Sequence, residues 1–243
     1  MVKKEIEMIT LIHGDAIEEL KKFKIKVDCI IADIPQGITR NKWDIPFNLE
    51  KLWQVIGEIT DDDTPIILMS NQPYTAELIL SNRKNYKYSW YWQKVRGRGH
   101  LNAKRQPLRD IEEICVFYKK QCYYRPQMIK GKENHSIGKS AGTLGSEGST
   151  YGKHKKVFTE GEMKYPKQLL EFKEPHPAVY STQKPVLLIE YLLQTYTKEG
   201  DTILDFCMGS GTTGIACKNL NRNFIGIDKS LEALEIAKNR LGW

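Results

Sequence analysis

The sequence predicts an α/β fold, a doubly wound and mostly parallel sheet, on three observations. Short apolar runs alternate with amphipathic helical patterns in the first third of the chain and again in the last quarter, which is how a parallel sheet with crossover helices is written. The apolar runs are nearly continuous, as in strands covered on both faces. One of them leads through the glycine-rich turn GSG into a helix. At 243 residues the chain can bury one sizeable core, so a single domain over 1–243 is expected.

The elements follow in order. MITLIHG reads as a strand, and DAIEELKKF as a helix with Ile17, Leu20 and Phe23 on one face. VDCIIAD is a short strand buried on both faces; a helical pattern follows near 48–59, then TPIILMS as a third strand. In the last quarter Pro185 opens a helix presenting Val186, Ile189, Leu193 and Tyr196 at helical spacing. TILDF is the next strand, GSGTTGIACKNL a turn and helix, and NFIGID a strand. SLEALEIAKNRL ends the series as a helix with Leu231, Leu234, Ala237 and Leu241 inward. Between these halves, KNYKYSWYWQKVRGRGHLNAKRQPLRDIEEICVFYKK is aromatic and basic, and residues 131–164 are rich in Gly, Ser and Lys with little apolar periodicity. The middle therefore reads as an insertion or loop, not a second full domain.

Charge narrows the partner. Lys and Arg number 37 against 30 Asp and Glu, a net of +7, which favours a polyanion, nucleic acid first. No apolar run approaches the ~20 residues of a membrane helix, so a soluble, cytoplasmic protein without a membrane partner is expected. Cys29, Cys115, Cys122, Cys207 and Cys217 are scattered and form no CxxC pair, which points to reduced, mostly buried thiols and no metal.

DFCMGSGTT follows a strand and opens a helix. Gly209 and Gly211 remove side chains where a ligand must touch backbone, and the helix start beyond them offers free N–H groups. A tight connection would use the same glycines. Asp228 ends the next strand about 20 residues on, where a carboxylate can accept from two ribose hydroxyls; a solvated strand-end aspartate is the simpler alternative. There is no Walker lysine, so a nucleoside-containing cofactor fits better than a triphosphate.

DFCMGSGTT resembles the DPFMGSGTT motif of S-adenosylmethionine-dependent DNA amino-methyltransferases. HPAVYSTQKPVLLIEYLL resembles their HPTQKP element, and FIGIDKSLEALEIAKNRL their acidic motif and helix. DIPQ at 33–36 matches the D-P-P-Y catalytic tetrapeptide and precedes the glycines, as in the circularly permuted β-class. LIHGDAIEEL resembles the class's first segment, with NQPYTAELI and the stretch from WYWQK to NAKRQPL as later core motifs. The resemblance covers nearly all the chain except about 125–170, which would be an inserted target-recognition region. It implies a Rossmann-like, seven-stranded methyltransferase fold and S-adenosylmethionine as cofactor. It further implies a site made of Asp15, Asp33, Lys184, Asp205, Phe206, Gly209, Ser210, Gly211, Thr212 and Asp228. The partner implied is double-stranded DNA, with a homodimer and a restriction enzyme as family associations.

The implied chemistry is methylation of an exocyclic amine on a flipped base. Two acceptors aimed at the amine N–H groups favour the pyramidal nitrogen that attacks and stabilise the charge it develops. Asp33 supplies a side-chain acceptor and Ile34 a backbone carbonyl, while Pro35 fixes its own φ. Gln36 stands where the family has a stacking aromatic, whose removal costs ~1–3 kcal/mol per base. The expectation is a slowed enzyme, with a catalytically silent DNA- and cofactor-binding homologue as the alternative. Trp43, Tyr74 and Trp90 are candidates to supply the missing ring. In the family an aspartate at the first position goes mostly with adenine N6, so Asp33 favours adenine over cytosine N4.

Arg96, Arg98, Lys104, Arg105 and Arg109, interspersed with Gly97, Gly99 and Asn102, form the expected phosphate-contacting stretch, with a solvated basic face as the alternative. Lys132, Lys139, Lys153, Lys155 and Lys156 extend it. His100, His135, His154 and His176 show no metal-ligand spacing and receive no catalytic role.

Overall fold

The structure is a computed structural model, and it describes residues 8–39, 41–132, 162–178, 180 and 183–243. In chain order the first half contains β1 (Ile9–His13), α1 (Ala16–Leu20), β2 (Cys29–Asp33), α2 (Leu49–Ile59), β3 (Ile66–Ser70), α3 (Tyr74–Ser81), β4 (Tyr86–Arg98) and β5 (Arg109–Phe117). A 3₁₀ turn at His100–Asn102 lies between the last two. The second half contains β6 (Ile129–Lys130), β7 (Met163–Lys164), β8 (Leu169–Glu171), α4 (Val186–Tyr196), β9 (Thr202–Asp205), α5 (Thr212–Asn219), β10 (Asn223–Asp228) and α6 (Leu231–Leu241).

Residues 8–125 and 168–243 carry one sheet in the order β1-β10-β9-β2-β3-β5-β4-β8. Its ladders are parallel except the two that β5 makes, with β3 and with β4. The sheet has eight strands where seven are expected, because the short β8 adds beside Tyr91–Gln93 of β4. Strands β9 and β2 are neighbours, Cys29 opposite Ile203 and Ile30 opposite Leu204. From this pair the chain winds in opposite directions, β9 to β10 and β2 to β3. Ligands of open α/β sheets bind at the carboxyl ends of strands where the winding reverses.

Two buried clusters cover the two faces, and the period-2 alternation of the strands assigns each side chain to one of them. Cys29 and Ile31 of β2 pack with Leu188 and Leu192 of α4, Ala216 of α5 and Ala237 of α6. Ile30 and Ala32 face Leu20 of α1, Leu52 and Ile56 of α2 and Leu78 of α3.

Two further expectations change. Residues 86–98 and 109–117 are not a loop or insertion but the long strands β4 and β5, joined by a turn. Their inner halves alternate correctly, with Trp90, Trp92, Ile114 and Val116 on one face and Cys115 and Phe117 on the other, while the basic residues gather toward the far ends. Leu231 is exposed: it is the first residue after the Ser230 cap, a turn before the buried face made by Leu234, Ala237 and Leu241. Pro185 opens α4 as expected, standing at its cap.

Residues 126–167 form a second compact unit, lying inside the stretch of about 125–170 that the resemblance leaves uncovered. In it β6 and β7 pair antiparallel, Ile129 opposite Lys164, and Lys130 Nζ lies 2.9 Å from Glu162. Lys139, Lys153, Lys155, Lys156, His135 and His154 lie outside the described residues. Among the described residues no helix is long and apolar enough to cross a membrane, and no His, Cys, Asp or Glu cluster could hold a metal. All five cysteines are free thiols, four of them buried and Cys207 half-buried.

Candidate active site

Three adjacent parallel strands end in aspartates at one edge of the sheet: β10 in Asp228, β9 in Asp205 and β2 in Asp33. The turn after β9 is built on Gly209 and Gly211, both at positive φ (50° and 73°), where any side chain is strained. A Cβ at Gly211 would also meet Ala237 of α6 at 2.9 Å. Asp228 holds this turn, its Oδ2 accepting from the Gly209 amide at 2.8 Å and its Oδ1 from the Ser230 amide at 2.8 Å. Asp205 accepts from the Thr213 hydroxyl at 2.6 Å and the Cys207 amide at 3.0 Å. Burial pushes its carboxyl up to about 7 against those two hydrogen bonds, with Asp33 and Asp228 adding to the rise.

Other members of the expected set have structural duties. Ser210 and Thr212 turn their hydroxyls to Arg240 of α6, 2.8 and 3.2 Å from its Nη1. The Phe206 ring is buried edge-on to Phe47, which leaves only its backbone for a ligand. Asp15 caps α1, its Oδ1 accepting from the Ile17 amide at 3.1 Å; it follows His13, which pairs with Asp228 in the sheet. The Tyr180 ring, unanticipated from sequence, stands beside Gly209, within 3.6 Å of where a Cβ would be.

The DIPQ loop is held by a residue outside the motif. Asp44 is buried, and its carboxylate accepts from the amides of Gln36 at 2.7 Å, Gly37 at 2.8 Å and Thr39 at 2.7 Å. Burial would raise this carboxyl, but the hydrogen bonds from Thr39, Gln36 and Gly37 outweigh it and hold the pKa below the ordinary value. Ile34 is buried in the core cluster on the α1–α3 face. The Gln36 side chain is tied to the loop after β3, its Oε1 accepting from Asn71 N at 2.9 Å and Asn71 Nδ2 at 3.2 Å. Replacing Asp44 by Ala strands three amides, so a loss of about 1–3 kcal/mol in unfolding free energy is expected. Denaturant unfolding measures it, and the loop should become the first site of proteolysis.

Asp33 does not stand alone. Lys184, from the HPAVYSTQKP segment, donates from Nζ to Asp33 Oδ2, and the same ammonium lies 3.0 Å from Glu112 Oε1. Glu112 Oε2 in turn lies 2.7 Å from Lys94 Nζ. Burial would lower the Lys184 ammonium, but the flanking Asp33 and Glu112 carboxylates raise it above the ordinary lysine range. Among the described residues Asp33 Oδ1 has no hydrogen-bond partner. Glu112 was missed from sequence, although two adjacent glutamates in DIEEICVF, a strand pattern, require one of them to face inward.

Two of the three candidate rings are core residues: Trp90 donates from Nε1 to Tyr196 Oη at 2.7 Å, and Tyr74 is buried with its hydroxyl unpaired among the described residues. Trp43 is half exposed on the loop after DIPQ. Arg96, Lys104, Arg105 and Arg109 are exposed on β4, β5 and the turn joining them, whereas Arg98 is paired with Glu174 at 2.6 Å. His100 is exposed in that turn.

Residues 27–239 match the family N6_N4_Mtase, described as DNA methylase. The chain is 48% identical over 247 residues to the type II methyltransferase M.HpaI of Haemophilus parainfluenzae, covering 95% of this chain and 73% of that one. It is 55% identical over 62 residues to M2.DpnII of Streptococcus pneumoniae, a match that spans only 23% of that protein's length. Among solved structures, M1.HpyAVI in complex with SAM superposes with a TM-score of 0.67 at 26% identity, over 97% of this chain and 100% of that one.

Proposed function

The chain belongs to the N6/N4 family of DNA methylases, and from that premise we propose that it methylates adenine N6 in double-stranded DNA with S-adenosylmethionine as cofactor. The observation that carries this reading is the open Oδ1 of Asp33 at the winding reversal, beside the Gly209–Gly211 turn on the neighbouring strand. The residues fit the cofactor: the left-handed glycines clear a backbone approach, and the amino end of α5 and the Asp228 carboxylate flank it. Asp228, Asp15 and the backbone of 209–211 would hold it. Bound there, it supplies an electrophilic methyl on a sulfonium. Asp33 Oδ1 and the Ile34 carbonyl accept the two N–H groups of the flipped amine, turn its lone pair out of conjugation and stabilise the positive charge on nitrogen. No strong base is needed, because the methylated amine is acidic.

Transfer of labelled methyl to mixed-sequence duplex DNA, followed by digestion to nucleosides, tests it. N6-methyladenine is expected; N4-methylcytosine would overturn the choice of base, and no methylated nucleoside would overturn the activity. A restriction enzyme of matching specificity is part of the same reading, and DNA from a host expressing the chain should resist it.

The tie between Gln36 and Asn71 favours a second reading, in which the site binds but turns over poorly. Gln36→Tyr restores a stacking surface of ~1–3 kcal/mol, so a rise in kcat of roughly 5- to 150-fold is expected. An unchanged kcat would mean that the base is held by other groups. Exposed Arg96, Lys104, Arg105 and Arg109 are assigned to phosphates. Arg105→Ala should therefore weaken binding on all sequences and reduce the slope of log K against log salt by about 1.

A further inference from the structure

Glu112 and Lys94 have no part in the methyl transfer itself, yet Glu112 is a buried charge one lysine away from the acceptor and the part-buried Lys94 stands behind it. We propose that Glu112 is a positioning residue for methyl transfer: acting through Lys184, it fixes Asp33 Oδ2 and so leaves Oδ1 to receive the amine, while Lys94 holds Glu112. The proposal rests on the reading of Asp33 as the amine's acceptor.

The four groups come from four segments, Asp33 from β2, Lys94 from β4, Glu112 from β5 and Lys184 from the loop before α4. They form a row of alternating sign, Lys94–Glu112–Lys184–Asp33, that is neutral as a whole. Glu112 is almost wholly buried at 3% exposure, so its charge is weakly screened. Lys94 is steered by the Trp92 ring, 5.1 Å from its ammonium, and Trp92 is the residue opposite Glu112 in the ladder. Lys184 aims a hydrogen bond at Asp33 Oδ2, whereas its 3.0 Å contact with Glu112 Oε1 is an ion pair without an aligned hydrogen bond. Lysine thus has a direction toward one carboxylate and a charge shared with two.

The sharing has a chemical use. A lysine paired with Asp33 alone would draw the carboxylate's electron density and weaken it as an acceptor for the amine. Drawing part of that charge to Glu112 keeps Asp33 anchored but electron-rich. The charged groups facing Asp33 are Lys184, Glu112 and Lys94, with Asp205 from the next strand. Burial raises the Asp33 carboxyl, Lys184 lowers it and Glu112 raises it again. Neutralising Glu112 therefore moves the Asp33 titration to lower pH.

Glu112→Gln and the pair Lys94→Met with Glu112→Gln, which removes both charges together and guards against a misfolded single variant, are compared with the full-length wild type. The titration of Asp33 is read by carboxyl ¹³C NMR, assigned with Asp33→Asn, and kcat and KM are measured for cofactor and DNA. The expected result is a lower Asp33 midpoint in Glu112→Gln and a kcat reduced about tenfold or more in both variants, with both KM values within about twofold. An unmoved midpoint would overturn the coupling whether or not the wild type turns over. A moved midpoint with unchanged kcat would assign the row to folding alone and overturn the positioning role. A wild type that transfers no methyl would sink the reaction at Asp33 and this role with it, while a moved midpoint would still record the coupling itself.

Discussion

Asp33→Ala is expected to leave cofactor and DNA binding within a few-fold of the wild type while kcat falls by about 100- to 1000-fold. The amine of a base is a poor nucleophile because its lone pair is shared with the ring. Of the two acceptors that release it, the Ile34 carbonyl remains in this variant and the charged one is lost. Only an interaction made more strongly in the transition state lowers kcat without changing the binding steps, and the developing charge on nitrogen makes the Asp33 contact such an interaction. Asp33→Asn offers a single oxygen for both Lys184 and the amine and turns an NH2 donor toward one of them, so its kcat should fall nearly as far as that of Asp33→Ala. Single-turnover kinetics with prebound DNA isolates the step. A kcat of Asp33→Ala within tenfold of wild type would remove Asp33 from the chemistry.

What could be read in the sequence was the part written locally. The ends of β2, β9 and β10 each carry their aspartate within a strand-and-turn signal of a few residues, and the glycines of 209–211 announce the turn by themselves. What could not be read depends on pairing between distant segments. Lys184 reaches Asp33 across a separation of 151 residues, and no local spacing reveals it. Ser210 and Thr212 sit in the motif, yet Arg240, 30 and 28 residues on, takes their hydroxyls. Strands β4 and β5 were hidden by composition: their basic, exposed ends outweigh the alternating inner halves when the segment is averaged. Asp44 reads as one more loop acid until three amides are seen to converge on it.

The row of charges also carries fold stability, and Lys184→Met should show how much. Methionine fills the volume of the lysine stem but leaves Asp33 and Glu112 as two desolvated carboxylates without the cation between them. Removing one partner of a buried ion pair costs about 3–5 kcal/mol, and at about 2–4 °C per kcal/mol in a chain of this size Tm should fall by roughly 6–20 °C near neutral pH. The loss should depend on pH in a definite direction. In the wild type, burial raises Glu112, but Lys184 and Lys94 hold its folded pKa below the ordinary value. Its contribution is present above the unfolded pKa and fades as pH falls through the folded one. In Lys184→Met burial and the neighbouring carboxylate push both carboxyls up, with only Lys94 still opposing the rise at Glu112, so their destabilisation appears as pH rises and is relieved on acidification. The gap between the two proteins should therefore be wide at neutral pH and narrow toward pH values of about 4. Thermal unfolding of both proteins across that range measures it. A gap that stayed constant with pH would mean that the methionine acts through packing, and that Lys184 does not hold the two carboxylates apart.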